Sequence, residues 1–266
     1  DCYAIDLEDG TPEGGKEPAR ARLVEDVTML RKSDLRGSLY VRVNEPASKH
    51  YLRDIEAASG CDIDGIIVPK LEAKDQLFAA NFVIERAEEE MPGKRRIGIM
   101  IGLESIGGVV NAVPLCAAHA RITSAYFGAE DFASDIGARR TKAGEEVLYA
   151  RSQVVLAAKA AGILAIDQAV VEIRDEEQCR LDAEKGRDLG YGGKICVLPR
   201  QVEISNEVFA PTETEVAHAR ELVATYEDAT CRGLGTIDFN GKMIDGPLVK
   251  RAQAVLDLAR LIETRG

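Results

Sequence analysis

Residues 97–108, IGIMIGLESIGG, and residues 122–132, ITSAYFGAEDF, decide how this chain is expected to fold. Each opens on a short apolar run, reaches a carboxylate with glycine close by, and then passes into a helical pattern. Apolar runs of this length without polar alternation suit strands buried on both faces of a parallel sheet. The unit recurs along the chain. Strands are predicted at 3–7, 39–43, 65–68, 97–101, 122–127, 164–166 and 194–198, with amphipathic helical stretches at 17–32, 73–90, 145–161 and 176–189. This alternation marks βα units, and the predicted architecture is α/β, a (β/α)8 TIM barrel. A closed barrel of this type needs eight strands. Because the chain opens at Asp1 almost inside a strand, a first strand and helix are expected to precede residue 1 or to be absent from this sequence.

Residues 1–232 are read as the barrel domain. From Gly233 the rhythm breaks into a strand at 236–239, the turn pair Asn240 and Gly241, and a helix from about Pro247. Residues 233–266 are therefore expected to form an extension of hairpin plus helix. The 266 residues, 45% hydrophobic and 30% charged, suffice for one large core. A net charge of -11 and a pI near 5.0 argue against nucleic acid or anionic lipid as partners and for small molecules. No stretch has the apolar length of a membrane span, and the first residues lack a basic start followed by an apolar segment, so a cytoplasmic location is expected. Cys2, Cys61, Cys116, Cys179, Cys196 and Cys231 are scattered, with no CxxC pair among them. They read as reduced thiols, without a zinc or disulfide framework.

Active sites of such barrels form at the carboxyl ends of the strands. The residues found there are Asp6, Glu8 and Asp9; Arg42 and Asn44; Pro69 and Lys70; Glu104; Glu130 and Asp131; Asp167; and Pro199, Arg200 and Gln201. Glu104 and Asp131 end strands that should be neighbours. Two carboxylates in one polar pocket repel unless a cation lies between them, and a hard divalent ion, magnesium above all, needs only one or two protein carboxylates. The alternative is structural: Glu104 caps the helix starting near Gly107, and Asp131 is a solvated loop acid. Arg42, alternating with apolar neighbours in YVRVN, needs an anion, either a bound carboxylate or an internal partner among Asp6, Glu8 and Asp9. Lys70 reads as a rim lysine or as a Schiff-base nucleophile. The run GYGGK at 190–194 leads into a strand rather than opening a helix, which separates it from a phosphate loop. Asp245, just before a helix, has the position of an N-cap.

Taken together, DLEDG at 6–10, YVRVN at 40–44, DGIIVPK at 64–70, GLESIGG at 102–108, FGAEDFASDIGA at 127–138, AAGILAID at 160–167, GYGGKICVLPRQV at 190–202 and GKMIDGP at 241–247 resemble, in order, the HpcH/HpaI aldolase and citrate lyase family. The likeness is to its branch of citrate lyase β-subunit-like proteins and malyl- or citramalyl-CoA lyases. It implies a barrel with Mg2+ on Glu104 and Asp131, and Arg42 contacting a 2-oxo acid. It further implies substrate binding by Lys70, Gly128 and Ala129, with Glu8 and Asp9 beside the site, orienting Arg42 or metal-bound water. In the CoA-lyase branch the C-terminal segment crosses to a neighbouring subunit, which implies that Asp245 acts as acid or base there, in a homotrimer or hexamer. The implied partners are a CoA thioester and a 2-oxo acid. The implied reaction is carbon–carbon cleavage or formation of a β-hydroxyacyl-CoA. The alternatives are thioester hydrolysis of malyl-CoA type, and a citrate lyase β-like subunit that works only with acyl-carrier partners. Leu103-Glu104-Ser105 and Leu198-Pro199 depart from the family's more frequent Ile-Glu-Thr and His-Pro, at positions that bear on substrate identity.

Overall fold

Successive residues of a strand point to opposite faces, and six of the seven expected strands form. The structure, a computed structural model, describes residues 1–33, 36–91, 93 and 95–265, with side chains to residue 264. It divides into two compact units, Asp1–Leu198 and Pro199–Gly266.

In the first unit, β1 (Cys2–Asp6), β2 (Ser38–Arg42), β3 (Gly65–Val68), β4 (Gly98–Leu103), β5 (Ile122–Phe127) and β6 (Leu164–Ile166) form one six-stranded sheet. Every neighbouring pair is parallel, and the strands lie in chain order. Leu39, Val41, Ile66, Val68, Ile99, Ile101, Leu103, Ala125 and Phe127 are almost wholly buried along one face. Tyr40, Ile67 and Tyr126 form a separate cluster from the alternate positions, joined by Met100 and Ile166. Full burial of each large apolar side chain stabilises the fold by about 1.5–3 kcal/mol. The helices are α1 (Lys16–Lys32), α2 (Tyr51–Ser59), α3 (Lys74–Glu90), α4 (Ile106–Val110), α5 (Ala112–Cys116), α6 (Ala129–Asp135), α7 (Leu148–Ala160) and α8 (Glu176–Leu189). Asp175 accepts from Gln178 N–H to cap α8, and Gly190 ends that helix in the left-handed region at φ 100°. The GYGGK run is thus a helix-ending turn.

One expected strand does not form. Residues 194–198 contribute a single parallel bridge, Lys194 to Asp167, and Pro199 already begins the next helix. Lys194 is drawn instead into a buried charge network. Arg151, wholly buried, grips both carboxylate oxygens of Asp167 and donates to Asp182 Oδ1 at 3.0 Å. Lys194 Nζ pairs with Asp182 and donates to Gln168 O at 2.6 Å. Asp167, a strand-end candidate, is therefore engaged in structure. Where a closed barrel was expected, the described residues form a six-stranded sheet with β1 and β6 at its edges.

The second unit comprises α9 (Pro199–Phe209), α10 (Glu213–Cys231), the antiparallel pair β7 (Ile237–Phe239) and β8 (Lys242–Ile244), and α11 (Gly246–Arg265). Asn240 and Gly241 both have positive φ, as a two-residue hairpin turn with right-handed strand twist demands. Ala219, Leu222 and Val223 pack with Phe239, Ile244, Ala252 and Leu256. This shared core makes the hairpin-bearing unit larger than the 233–266 segment drawn from the sequence.

Candidate active site

Parallel register brings the carboxyl ends of the strands to one edge of the sheet, since Asp6 pairs with Arg42, Arg42 with Ile67, and Leu103 with Phe127. The residues that follow β1, β3, β4 and β5 meet there. A cleft of about 340 Å3 is lined by Glu45, Lys70, Glu72, Glu104, Asp131 and Asp135, among others.

Glu104 is the buried acid of this group, 4% exposed. Its Oε1 accepts from the Tyr126 hydroxyl at 2.5 Å and from the Lys70 backbone N–H at 3.0 Å. Its Oε2 has no hydrogen-bond partner among the described residues. Two glycines make the space. A Cβ on Gly102 would lie 2.5 Å from the Tyr126 oxygen and against Glu104 Oε1, and a Cβ on Gly128 would lie 2.5 Å from Glu104 Cγ and closer to Oε2. Burial pushes the Glu104 carboxyl up to about 7, against the two hydrogen bonds and with help from the charges of Glu8 and Asp131. The capping role open to Glu104 falls to Ser105, whose Oγ accepts from Gly108 N–H at 3.1 Å at the start of α4.

Asp131 lies in the first turn of α6, with its side chain 43% exposed and one oxygen 3.5 Å from Lys70 Nζ. Lys70 has the unusual φ of 48° for a side-chain-bearing residue. That backbone turns its N–H to Glu104 while its ammonium donates to Glu8 Oε1 at 2.9 Å and lies 3.9 Å from Asp9. Burial opposes the Lys70 charge, but Glu8, Asp131 and Asp9 overcome it and hold its pKa above the usual value.

Arg42 finds its anion inside the chain. Nε and Nη2 donate to the two oxygens of Asp6 at 2.8 and 2.6 Å, and Nη1 lies 3.0 Å from Glu8 Oε2 without hydrogen-bond alignment. Asp6 is fixed in turn by the N–H groups of Glu8 and Gly10. Despite burial, Arg42 and these N–H groups hold the Asp6 carboxyl below its ordinary range. Glu8, 5% exposed, is shifted upward because burial outweighs Lys70 and Arg42. Its neighbour Asp9 is exposed. Gly128 N–H donates to Leu103 O at 3.3 Å, and Ala129 is buried at the start of α6.

Among the other candidates, Asn44 serves the fold, bonding Leu7 O and Asp54 Oδ2 through Nδ2. Glu130 pairs with Arg140 at 2.8 Å. Arg200 and Gln201 lie in α9 of the second unit. Asp245 also belongs to that unit, where its carbonyl accepts from Leu248 and Val249 N–H at the start of α11. Its carboxylate makes no hydrogen bond or ion pair among the described residues. Tyr126 was not singled out by the sequence. Its signal was positional, since it precedes Gly128 by two on a strand and is in register with Gly102.

The donor set suits a small, hard cation: an uncommitted oxygen on Glu104, the partly exposed carboxylate of Asp131, and a surplus of negative charge around them.

A family model described as HpcH/HpaI aldolase/citrate lyase matches residues 1–199. The chain is 38% identical over 258 residues to a citrate lyase subunit beta-like protein of Deinococcus radiodurans, covering 96% of this chain and 88% of that one. It is 30% identical to the mitochondrial citramalyl-CoA lyase of Rattus norvegicus, covering 100% of this chain and 81% of that one. The protein CitE of Mycobacterium tuberculosis, solved in complex with magnesium, acetoacetate and coenzyme A, superimposes with a TM-score of 0.77 at 26% identity, over 98% of this chain and 90% of that one.

Proposed function

The chain belongs to the HpcH/HpaI aldolase/citrate lyase family, and on that premise we propose that it is a Mg2+-dependent carbon–carbon lyase that cleaves or forms a β-hydroxyacyl-CoA of malyl-CoA or citramalyl-CoA type, with an acyl-CoA and a 2-oxo acid as the other partners. The observation that carries this reading is Glu104, buried and bonded through Oε1 alone, in one cleft with Asp131.

In this reading Glu104 Oε2 and Asp131 hold the metal, which when bound supplies Lewis-acid stabilisation of negative charge on the oxygen of a 2-oxo acid. Tyr126 and the Lys70 N–H keep the Glu104 carboxylate turned toward the cleft. Arg42, clamped by Asp6 and Glu8, offers its remaining N–H groups to the substrate carboxylate, and that clamp fixes their direction. Asp9, Gly128 and Ala129 border the substrate. Asp245, with its carboxylate uncommitted, exchanges a proton with the α-carbon of the acyl thioester, contributed by a neighbouring copy in a trimer or hexamer. The parallel bridge at Lys194 supports extension of the sheet toward a full (β/α)8 barrel. Among the described residues no helix is long and apolar enough to cross a membrane; the cytoplasmic location expected from the sequence remains part of this proposal.

The test is kinetic. Asp131→Ala should abolish metal-dependent cleavage of malyl-CoA and citramalyl-CoA, with products assayed as acyl-CoA and 2-oxo acid. Unchanged turnover removes the proposal. Free CoA with malate as products would favour the thioesterase reading, and activity that appears only with an acyl-carrier protein would favour a citrate lyase β-like subunit, the reading suggested by the Deinococcus relative.

A further inference from the structure

Glu8, Asp9 and Asp131 share one ammonium group, Lys70 Nζ, at 2.9, 3.9 and 3.5 Å. The three contacts are unequal. Only Glu8 accepts a hydrogen bond; Asp131 and Asp9 are held at ion-pair range. Asp131 has no other cationic partner among the described residues. The lysine's backbone is also held in place, with its N–H bonded to Glu104 and its φ of 48° in a left-handed setting that non-glycine residues rarely adopt. A strained residue that touches both acids of a candidate metal pair, one through its main chain and one through its ammonium, has its charge placed where a cation is needed.

We infer that Lys70 is the built-in counter-cation of the site, neutralising Asp131 and Asp9 in the metal-free protein and giving up Asp131 when a divalent cation binds, while its hydrogen bond to Glu8 persists. The lengths set the order of events: the loose 3.5 Å contact breaks without disturbing the 2.9 Å bond. The backbone anchor keeps Glu104 in place throughout. The exchange has two consequences. The metal-free cleft does not hold facing carboxylates without compensation, and the metal must compete with a tethered positive charge for its second ligand. This inference rests on the reading of Glu104 and Asp131 as the metal pair.

The experiment is calorimetric titration of MgCl2 into the full chain, as wild type, Lys70→Gln and Lys70→Arg, with thermal melting of each variant without metal. Lys70→Gln should melt lower without metal yet bind Mg2+ about tenfold more tightly, because a like charge a few ångströms from the ion has been removed. Lys70→Arg, which keeps the charge, should bind as wild type does. Equal or weaker binding by a folded Lys70→Gln, beside measurable binding by wild type, overturns the exchange and leaves the metal site standing. Absence of Mg2+ binding in wild type overturns both. A second measurement needs no variant: acetylation of Lys70 by acetic anhydride, followed by peptide mass spectrometry and referenced to the exposed Lys49, should accelerate when Mg2+ is added. An unchanged or slower rate contradicts the exchange.

Discussion

Gly128→Ala adds one methyl group at the most crowded point of the site. The backbone there tolerates a side chain, with φ of -98° and ψ of 87°, so the effect is steric rather than conformational. The new Cβ would lie 2.5 Å from Glu104 Cγ and 2.7 Å from its Cδ, well inside van der Waals contact. Glu104 has no slack on its other side, where the Tyr126 hydroxyl and the Gly102 backbone confine Oε1. The carboxylate must therefore turn, breaking its bonds from Tyr126 and Lys70 N–H. Two hydrogen bonds to a charged group at about 1.5 kcal/mol each make returning to the metal-binding geometry cost about 3 kcal/mol. That corresponds to a loss of Mg2+ affinity of about 100-fold. Calorimetric titration with MgCl2 measures it, with Gly14→Ala as the control, since nothing lies within 4 Å of a Cβ at that glycine. Wild-type Mg2+ affinity in a folded Gly128→Ala protein would refute the steric account of Glu104.

The Glu104 carboxyl, raised to about 7 from an ordinary 4.5, binds its proton more tightly folded than unfolded. Its contribution therefore favours the metal-free fold most at low pH and is lost as pH rises from about 4.5 to about 7. Magnesium competes with that proton, so the Mg2+-induced rise in Tm should be small at pH 5.5 and large at pH 8; a rise independent of pH would contradict it. Arg151→Met should cost about 3–5 kcal/mol in urea denaturation, because it leaves Asp167 and Asp182 buried with Lys194 as their remaining cation. A loss below about 1 kcal/mol would mean the network is not what orders the segment after β6.

The strands at Gly65–Val68, Ile122–Phe127 and Leu164–Ile166 stand where the apolar runs put them, most plainly Gly65–Val68, which is buried along its whole length, because a strand buried on both faces writes its bounds directly into composition. The run at 194–198 looked equally apolar and failed. Lys194 is claimed by Asp182 and Asp167, acids distant in sequence, Val197 is exposed, and Pro199 starts a helix. In the site, parallel register made Glu104, Asp131, Lys70, Glu8 and Arg42 legible as neighbours, since strand ends share an edge. Their bonding was not legible. That Asp6 clamps Arg42 follows from the pairing of those two residues across β1 and β2, and that Tyr126 restrains Glu104 follows from which face its strand turns toward Gly102.

A cation shared by Glu104 and Asp131 is tested most directly by a crystal of the full chain soaked in MnCl2, through the anomalous signal of manganese. A peak bonded directly to Glu104 Oε2 and an Asp131 carboxylate oxygen, at about 2 Å as for a small hard cation, with Lys70 Nζ withdrawn from Asp131, is the predicted result. A peak away from both carboxylates, or none with Lys70 still against Asp131, would contradict it.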